Sequence, residues 1–317
     1  MYGLIRLAVF GGILTFAGTP AGAPTLELRH RFGEGQTHSY HLTASGQGRT
    51  LLEGLPGEPS LELPASFTLQ GEVTWKVEKT WPPGGADLRL CLEALEVHGE
   101  VAGQGLNWTL PAEAQGPSTP PTFFLKVKPN GEVIEEKEES AAALQGLPAV
   151  LRNLPLFLRH IALRPLPLPA RPVKPGETWE QVHPLELPYL ASDPPSLRLT
   201  YRWQGFQRIN GQRCAAIHST GEGGRENGTV PLAPWPDRPT QTVELNLTRL
   251  RQTLSETAYF ALQPGRLEHR QWQADFELAA TAAVPTPNGP QQQVGVAVSW
   301  QIRGTLRRRN PAAPRAP

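Results

Sequence analysis

Apolar and polar residues alternate along much of the chain. From Phe67 to Glu78 every odd position is apolar or glycine and every even position is polar. Successive side chains of an extended strand point to opposite faces, so this pattern predicts a strand with one dry and one wet face. The same alternation recurs over residues 197–204, 243–248 and 294–303. One-sided alternation predicts antiparallel sheets, because parallel sheets are covered on both faces and read as continuous apolar runs. Between Leu88 and Val97 the apolar phase flips at Ala94-Leu95, which predicts a β-bulge.

Turn residues fall between these runs. Trp81-Pro-Pro-Gly-Gly, Lys128-Pro-Asn-Gly, Ile209-Asn-Gly-Gln and Gln263-Pro-Gly each separate two strand-like segments. Asn-Gly and Pro-Gly supply the positive-φ positions that tight hairpins demand. Residues 138–163 break the rule. Leu144, Leu147, Leu151, Leu154, Leu158 and Ile161 recur at spacings of three and four, the stripe of a helix. Pro148 and Pro155 interrupt that stripe, so two or three short helical pieces are expected. This helical face either covers an open side of a sheet or lines an apolar cavity.

The expectation is a mainly β protein. Antiparallel sheets form two related β-units or one large incompletely closed barrel, with a short helical connector or cover. The units are residues 22–137 and 166–306, the connector is 138–165, and a basic Pro/Ala tail, 307–317, is disordered. The pairing of units rests on loose parallels, such as Phe123–Val133 with Ala258–Leu267.

Composition narrows the class. Of 317 residues, 34 are Pro and 31 Gly, which stays below the level of a disordered chain. The formal net charge of +1 gives no steering toward polyanions, so no nucleic-acid partner is expected. Residues 1–23 carry Arg6, then an apolar run too short to span a bilayer, then small residues. That is the layout of a secretory signal peptide, 1–21, with cleavage at 23 as a second choice. Export to the periplasm, cell envelope or medium follows as an expectation, with no stable transmembrane anchor after cleavage.

Candidate chemistry is sparse. Cys91 and Cys214 could pair in an exported protein or stand as free thiols. Among the eight histidines only His38 and His41 lie close, and three residues apart on a strand they face opposite sides. No metal or cofactor is expected. No H-E-x-x-H, G-x-S-x-G, P-loop, G-x-G-x-x-G or C-x-x-C motif occurs, which lowers the expectation of an enzyme. Trp75, Trp203 and Trp300 are in phase with apolar neighbours and are assigned to the core; Trp81, Trp108 and Trp235 sit near loops.

Leu168-Pro-Ala-Arg-Pro-Val-Lys-Pro-Gly-Glu-Thr-Trp179 resembles the L-P-x-x-P-V-x-x-G-x-x-W segment of an uncharacterised family of secreted bacterial β-rich proteins and lipoproteins. The likeness extends loosely over residues 120–280. That family carries no established activity, so the resemblance implies a fold and an address only. Physically the segment reads as a proline-stiffened crossing into a new strand, with Gly176 at a turn and Trp179 docking into the core. The expected function is non-catalytic: an envelope protein carrying an apolar or amphipathic ligand, with Leu147, Leu151, Leu154, Leu158 and Ile161 lining the cavity. The alternative is a structural or interaction module whose partner is another envelope protein, with loops such as Gly221–Pro239 as contact surface.

Overall fold

The computed structural model describes residues 25–55, 58–110, 121–138, 163–184, 196–232, 243–286 and 289–309. The segment expected to be a signal peptide, the candidate lining residues Leu147, Leu151, Leu154, Leu158 and Ile161, and most of the connector expected to be helical lie outside the described residues.

Twelve strands form one antiparallel sheet that does not close into a barrel. They are β1 (Thr37–Leu55), β2 (Glu58–Trp81), β3 (Gly85–Val101), β4 (Gln104–Leu110), β5 (Thr122–Val127), β6 (Val133–Glu138), β7 (Thr178–Pro184), β8 (Ser196–Ile209), β9 (Gln212–Leu232), β10 (Val243–Ala261), β11 (Arg266–Thr286) and β12 (Gly289–Arg308). The order across the sheet is β6-β5-β3-β2-β1-β12-β11-β10-β9-β8-β7, with β4 paired to β3. Of the two expected architectures, the single open sheet is the one observed. The stretches expected as two units, 22–137 and 166–306, share this one sheet and meet at the β1–β12 ladder, which runs from Tyr40 opposite Arg308 to Glu53 opposite Gly295.

The four turns fall where the sequence places them. Gly84, Asn210, Gly211 and Gly265 all have positive φ. Gly131 does too, and a Cβ there would sit 2.2 Å from the Leu166 carbonyl oxygen, so only glycine fits. The bulge in β3 is also present: Leu92 faces Val73 and Ala94 faces Glu72, leaving Glu93 as the extra residue. Two segments differ from expectation. Residues 221–232, read as part of a contact loop, extend β9, because they pair with β10. Arg307 and Arg308, read as the start of a loose tail, end β12, and the Arg309 N–H donates to the Ser39 carbonyl.

The sheet curls around its apolar face. Arg270 on β11 and Glu136 on β6 lie six strand steps apart, about 29 Å across a flat sheet. Yet one residue bridges them. Arg270 Nη1 donates to the Arg164 carbonyl at 3.0 Å, and Arg164 Nη2 donates to Glu136 Oε2 at 2.7 Å. The inner face is therefore concave, and the segments holding Leu28 and Leu163–Val173 fill one end of it. Leu26 and Val173 bridge each other, the His30 N–H donates to the Pro129 carbonyl, and the Arg31 N–H to the Gly265 carbonyl. These bonds tie the filling to the β5–β6 and β10–β11 turns. Leu28, Leu163, Leu166, Leu168 and Val173 are buried among Tyr40, Leu42, Trp203 and Phe260.

Glycines on the inner face make room for aromatic rings from the neighbouring strand. A Cβ on Gly46, Gly48 or Gly304 would lie within 2.4 Å of Phe67, Trp300 or Trp272. The rings thus lie over bare backbone and stay close to the sheet.

Candidate binding site on the inner face

Cross-strand register turns the inner face into a set of rows, because residues opposite one another on adjacent strands share a face. Toward the filled end, one row runs Ala258, Arg270, Leu306, Leu42, Gly71. The next runs Tyr201, Ser219, Glu256, Trp272, Gly304, Ala44. Toward the open end come Gln252, Phe276, Trp300, Gly48 and Ala65, then Leu250, Leu278, Val298, Thr50 and Leu63.

The open rows are mostly apolar and unevenly covered: Leu250, Gln252, Ala280, Ala282 and Val294 are buried. Phe276, Leu278, Val296, Val298, Trp300, Leu52, Leu61 and Leu63 are all half-buried. On the outer face at the same level sit solvent-exposed ion pairs such as Arg49–Glu62 and Arg249–Glu277. Both faces are thus in contact with solvent here, and only the inner one is apolar.

Between the open rows and the filled end lies a polar cluster. Arg270 Nε donates to Glu256 Oε1 at 3.0 Å, and both side chains are 3% exposed. Burial pushes the Glu256 carboxyl above its usual range, and the Arg270 charge pulls it back. His183 on β7 shares a 3.3 Å hydrogen bond with the Tyr201 hydroxyl. Burial and the nearby Arg164 and Arg270 charges lower the His183 pKa to about 4, so the ring is neutral at pH 7. Burial holds the Tyr201 hydroxyl well above its ordinary value. Trp179 stacks on the Tyr201 ring at 5.6 Å, and its Nε1–H donates to the Pro167 carbonyl. The twelve-residue proline-rich segment therefore does what its residues imply: Leu168 and Val173 are buried, Gly176 turns with φ 92°, and Trp179 docks beside the core. His30 is neutral too, its pKa lowered to about 4 by burial, and it shares a 2.9 Å hydrogen bond with the Leu166 carbonyl.

The cluster does not arrange a nucleophile. Ser219 Oγ is buried and has no hydrogen-bond partner, so no base activates it in this geometry. Among the described residues no group of three or more His, Cys, Asp or Glu could hold a metal ion. Cys91 and Cys214 are free thiols: Cys91 Sγ lies 3.6 Å from Thr122 Oγ1, and Cys214 Sγ donates to the Gln212 carbonyl. Burial pushes the Cys214 thiol up to about 11, which leaves it unreactive at neutral pH. Trp75 and Trp203 are core residues as expected, and Trp300 is half-buried over Gly48. Sequence reasoning missed Ser219, Glu256 and Arg270. The available signal was a polar residue on the apolar phase of a strand, as with Glu256 between Leu254 and Ala258.

The chain matches no known family model and no curated protein sequence. Among solved structures it is similar to a DUF1329 family protein from Desulfovibrio piger, at 11% identity over 84% of each chain, with a TM-score of 0.14. A likeness at that level carries no argument about function. Among the described residues no helix is long and apolar enough to cross a membrane.

Proposed function

We propose that this chain is an exported, non-catalytic binding protein that holds an apolar or amphipathic ligand on the concave face of its sheet. One observation carries the reading: the half-buried surface of Phe276, Leu278, Val296, Val298, Trp300, Leu61 and Leu63 continues outward from a filled and fully buried core. Contiguous apolar surface open to solvent marks a binding site in proteins of this kind. Leu147, Leu151, Leu154, Leu158 and Ile161 belong to the proposal as further lining residues. Export rests on the layout of residues 1–23, and the resemblance of residues 168–179 to secreted proteins supports it.

Native mass spectrometry of protein purified from its own host's envelope tests the proposal. The expected result is a reproducible extra mass that solvent extraction removes, and an extracted protein that enhances the fluorescence of 1-anilinonaphthalene-8-sulfonate. A clean apo mass together with no dye binding would overturn it.

A further inference from the structure

We propose that the end of the sheet where β11 and β12 meet β1 binds a phosphate group, taken by Arg31, Arg266 and Arg308 beside His38. The site lies at the opposite end of these strands from the half-buried apolar rows. It goes beyond the binding reading above and does not rest on it.

β1 starts at Thr37, β11 starts at Arg266 and β12 ends at Arg308, so three strand ends come together here. Arg308 stands directly opposite Tyr40, and His38 lies two residues before Tyr40 on the same face of β1. Glu268 is 1% exposed and is shared by two cations. Arg266 Nε donates to its Oε1 at 3.0 Å, and Arg308 Nη1 lies 3.5 Å from the same oxygen. Arg31 adds a third cation at the β10–β11 turn. Its N–H donates to the Gly265 carbonyl, and its Cγ fills the space that a Cβ on Gly265 would need. The side chains of Arg266 and Arg308 are 24% and 15% exposed, and Arg31 is exposed, so a ligand reaches all three from solvent at the strand ends.

The charges around this end leave an excess. Arg270 is paired with Glu256, Arg309 with Glu72, and Lys128, on the neighbouring β5–β6 turn, with Glu132. Glu34 lies across β1, where the Gly35 N–H donates to the Val77 carbonyl of β2. Arg31 has no ion-pair partner among the described residues. Three guanidiniums therefore share one carboxylate, an excess of two positive charges. The excess is felt nearby: after burial, the Arg266 and Arg308 charges hold the His38 pKa down to about 4. Just behind the exposed ends, Arg308 Nε and His38 Nδ1 are buried and lack a partner, so the cluster does not satisfy itself. A guanidinium only donates, and its planar fork matches two phosphate oxygens at once. A carboxylate would offset one charge of the excess. A phosphate group carries about −1.5 to −2 at pH 7 and offsets both.

The test titrates inorganic phosphate into the purified protein by calorimetry at pH 7.5, with sodium chloride holding the ionic strength constant. The expected result is saturable one-to-one binding that shifts the His38 ring resonances and leaves those of His98, on the β3–β4 hairpin, in place. Arg308→Gln and Arg31→Gln should each weaken phosphate by about tenfold. Arg49→Gln makes the same charge change at the other end of β1 and should alter phosphate affinity by less than about twofold. Arg31→Gln breaks no ion pair, so it decides the matter if Arg308→Gln fails to fold. Dihexanoyl phosphatidic acid, a water-soluble lipid, separates the sources of the group. Tighter binding than inorganic phosphate assigns the site to a lipid head group; equal or weaker binding assigns it to the free anion. Absence of saturable phosphate binding, an unmoved His38, or equal losses in Arg31→Gln and Arg49→Gln overturns the site. Each of these failures leaves the apolar face standing, because native mass spectrometry tests that reading separately.

Discussion

The two ends of the concave face are built on the same strands and differ in what lies against them. At the filled end, β1, β11 and β12 present Tyr40, Leu42, Arg270, Trp272 and Leu306, and all are buried by the segments carrying Leu28, His30 and Leu163–Leu168. At the open end the same strands present Leu52, Leu278, Val296 and Val298, half-buried. A strand of 19 or 20 residues is far longer than the usual five or six. Leu247, Leu250, Ala280, Ala282 and Val294 are buried at the open end too, so the remaining length carries packed side chains as well as half-buried apolar surface. The difference teaches that complete and partial burial share each strand, and the surface proposed for binding begins beyond the Glu256–Arg270 pair.

Breaking that boundary is expected to have the largest effect. Arg270→Met leaves Glu256 buried without its cation, and removing one partner of a buried pair costs about 3–5 kcal/mol. Urea denaturation reads the loss directly. The double variant Arg270→Met, Glu256→Leu should recover most of it, because no charge is then stranded. A single variant as stable as the parent would show that the pair does not organise the boundary.

Much of this architecture is legible in the sequence, and the exceptions have physical causes. Alternation and turn chemistry are local properties, and they place the hairpins at residues 81–85, 128–131, 209–212 and 263–265. They fail for β1, because Gly46 and Gly48 stand where apolar side chains would mark the inner phase. Those glycines are explained only by Phe67 and Trp300 lying over them, and the rings come from other strands. The polar cluster is hidden for the same reason. Glu256 and Arg270 look like breaks in a pattern until the register sets them beside each other and the curl brings Arg164 over them. The curl itself depends on contacts such as Arg164–Glu136 and Leu26–Val173, which no periodicity encodes.

The filling comes next in size. Leu166 is fully buried beneath the sheet, and Leu166→Ala should cost roughly 2–5 kcal/mol through lost transfer energy and a cavity. The corresponding shift in urea midpoint, with an unchanged slope, would confirm that this segment belongs to the cooperative core. A change below about 1 kcal/mol would instead make the filling an accessory to the sheet.

Acid should attack the buried histidines first. His30, His38 and His183 all have pKa values lowered to about 4, each chiefly by burial. Between pH 6.5 and 4 the unfolded chain therefore binds more protons than the folded one, and stability falls as pH falls through that window. His30 alone should account for about 2 kcal/mol between pH 7 and 5. Glu256, whose pKa is raised, acts in the opposite sense from 4.5 upward. His30→Gln keeps a donor toward Leu166 and removes the titration. Its stability should vary less steeply with pH than the parent's, and an unchanged slope would move the acid sensitivity elsewhere.

The smallest stability effect is expected at the open end, where the binding effect should be largest. Leu278 is half-buried and faces Leu250 and Val298 on the same inner surface. Truncating a side chain that is only half removed from water forfeits about 1 kcal/mol. Leu278→Ala should therefore leave the urea midpoint close to the parent's while weakening 1-anilinonaphthalene-8-sulfonate several-fold. Leu166→Ala should do the reverse. If both variants lowered stability and dye affinity in proportion, the face would be one continuous core, and the length of the strands would need another explanation.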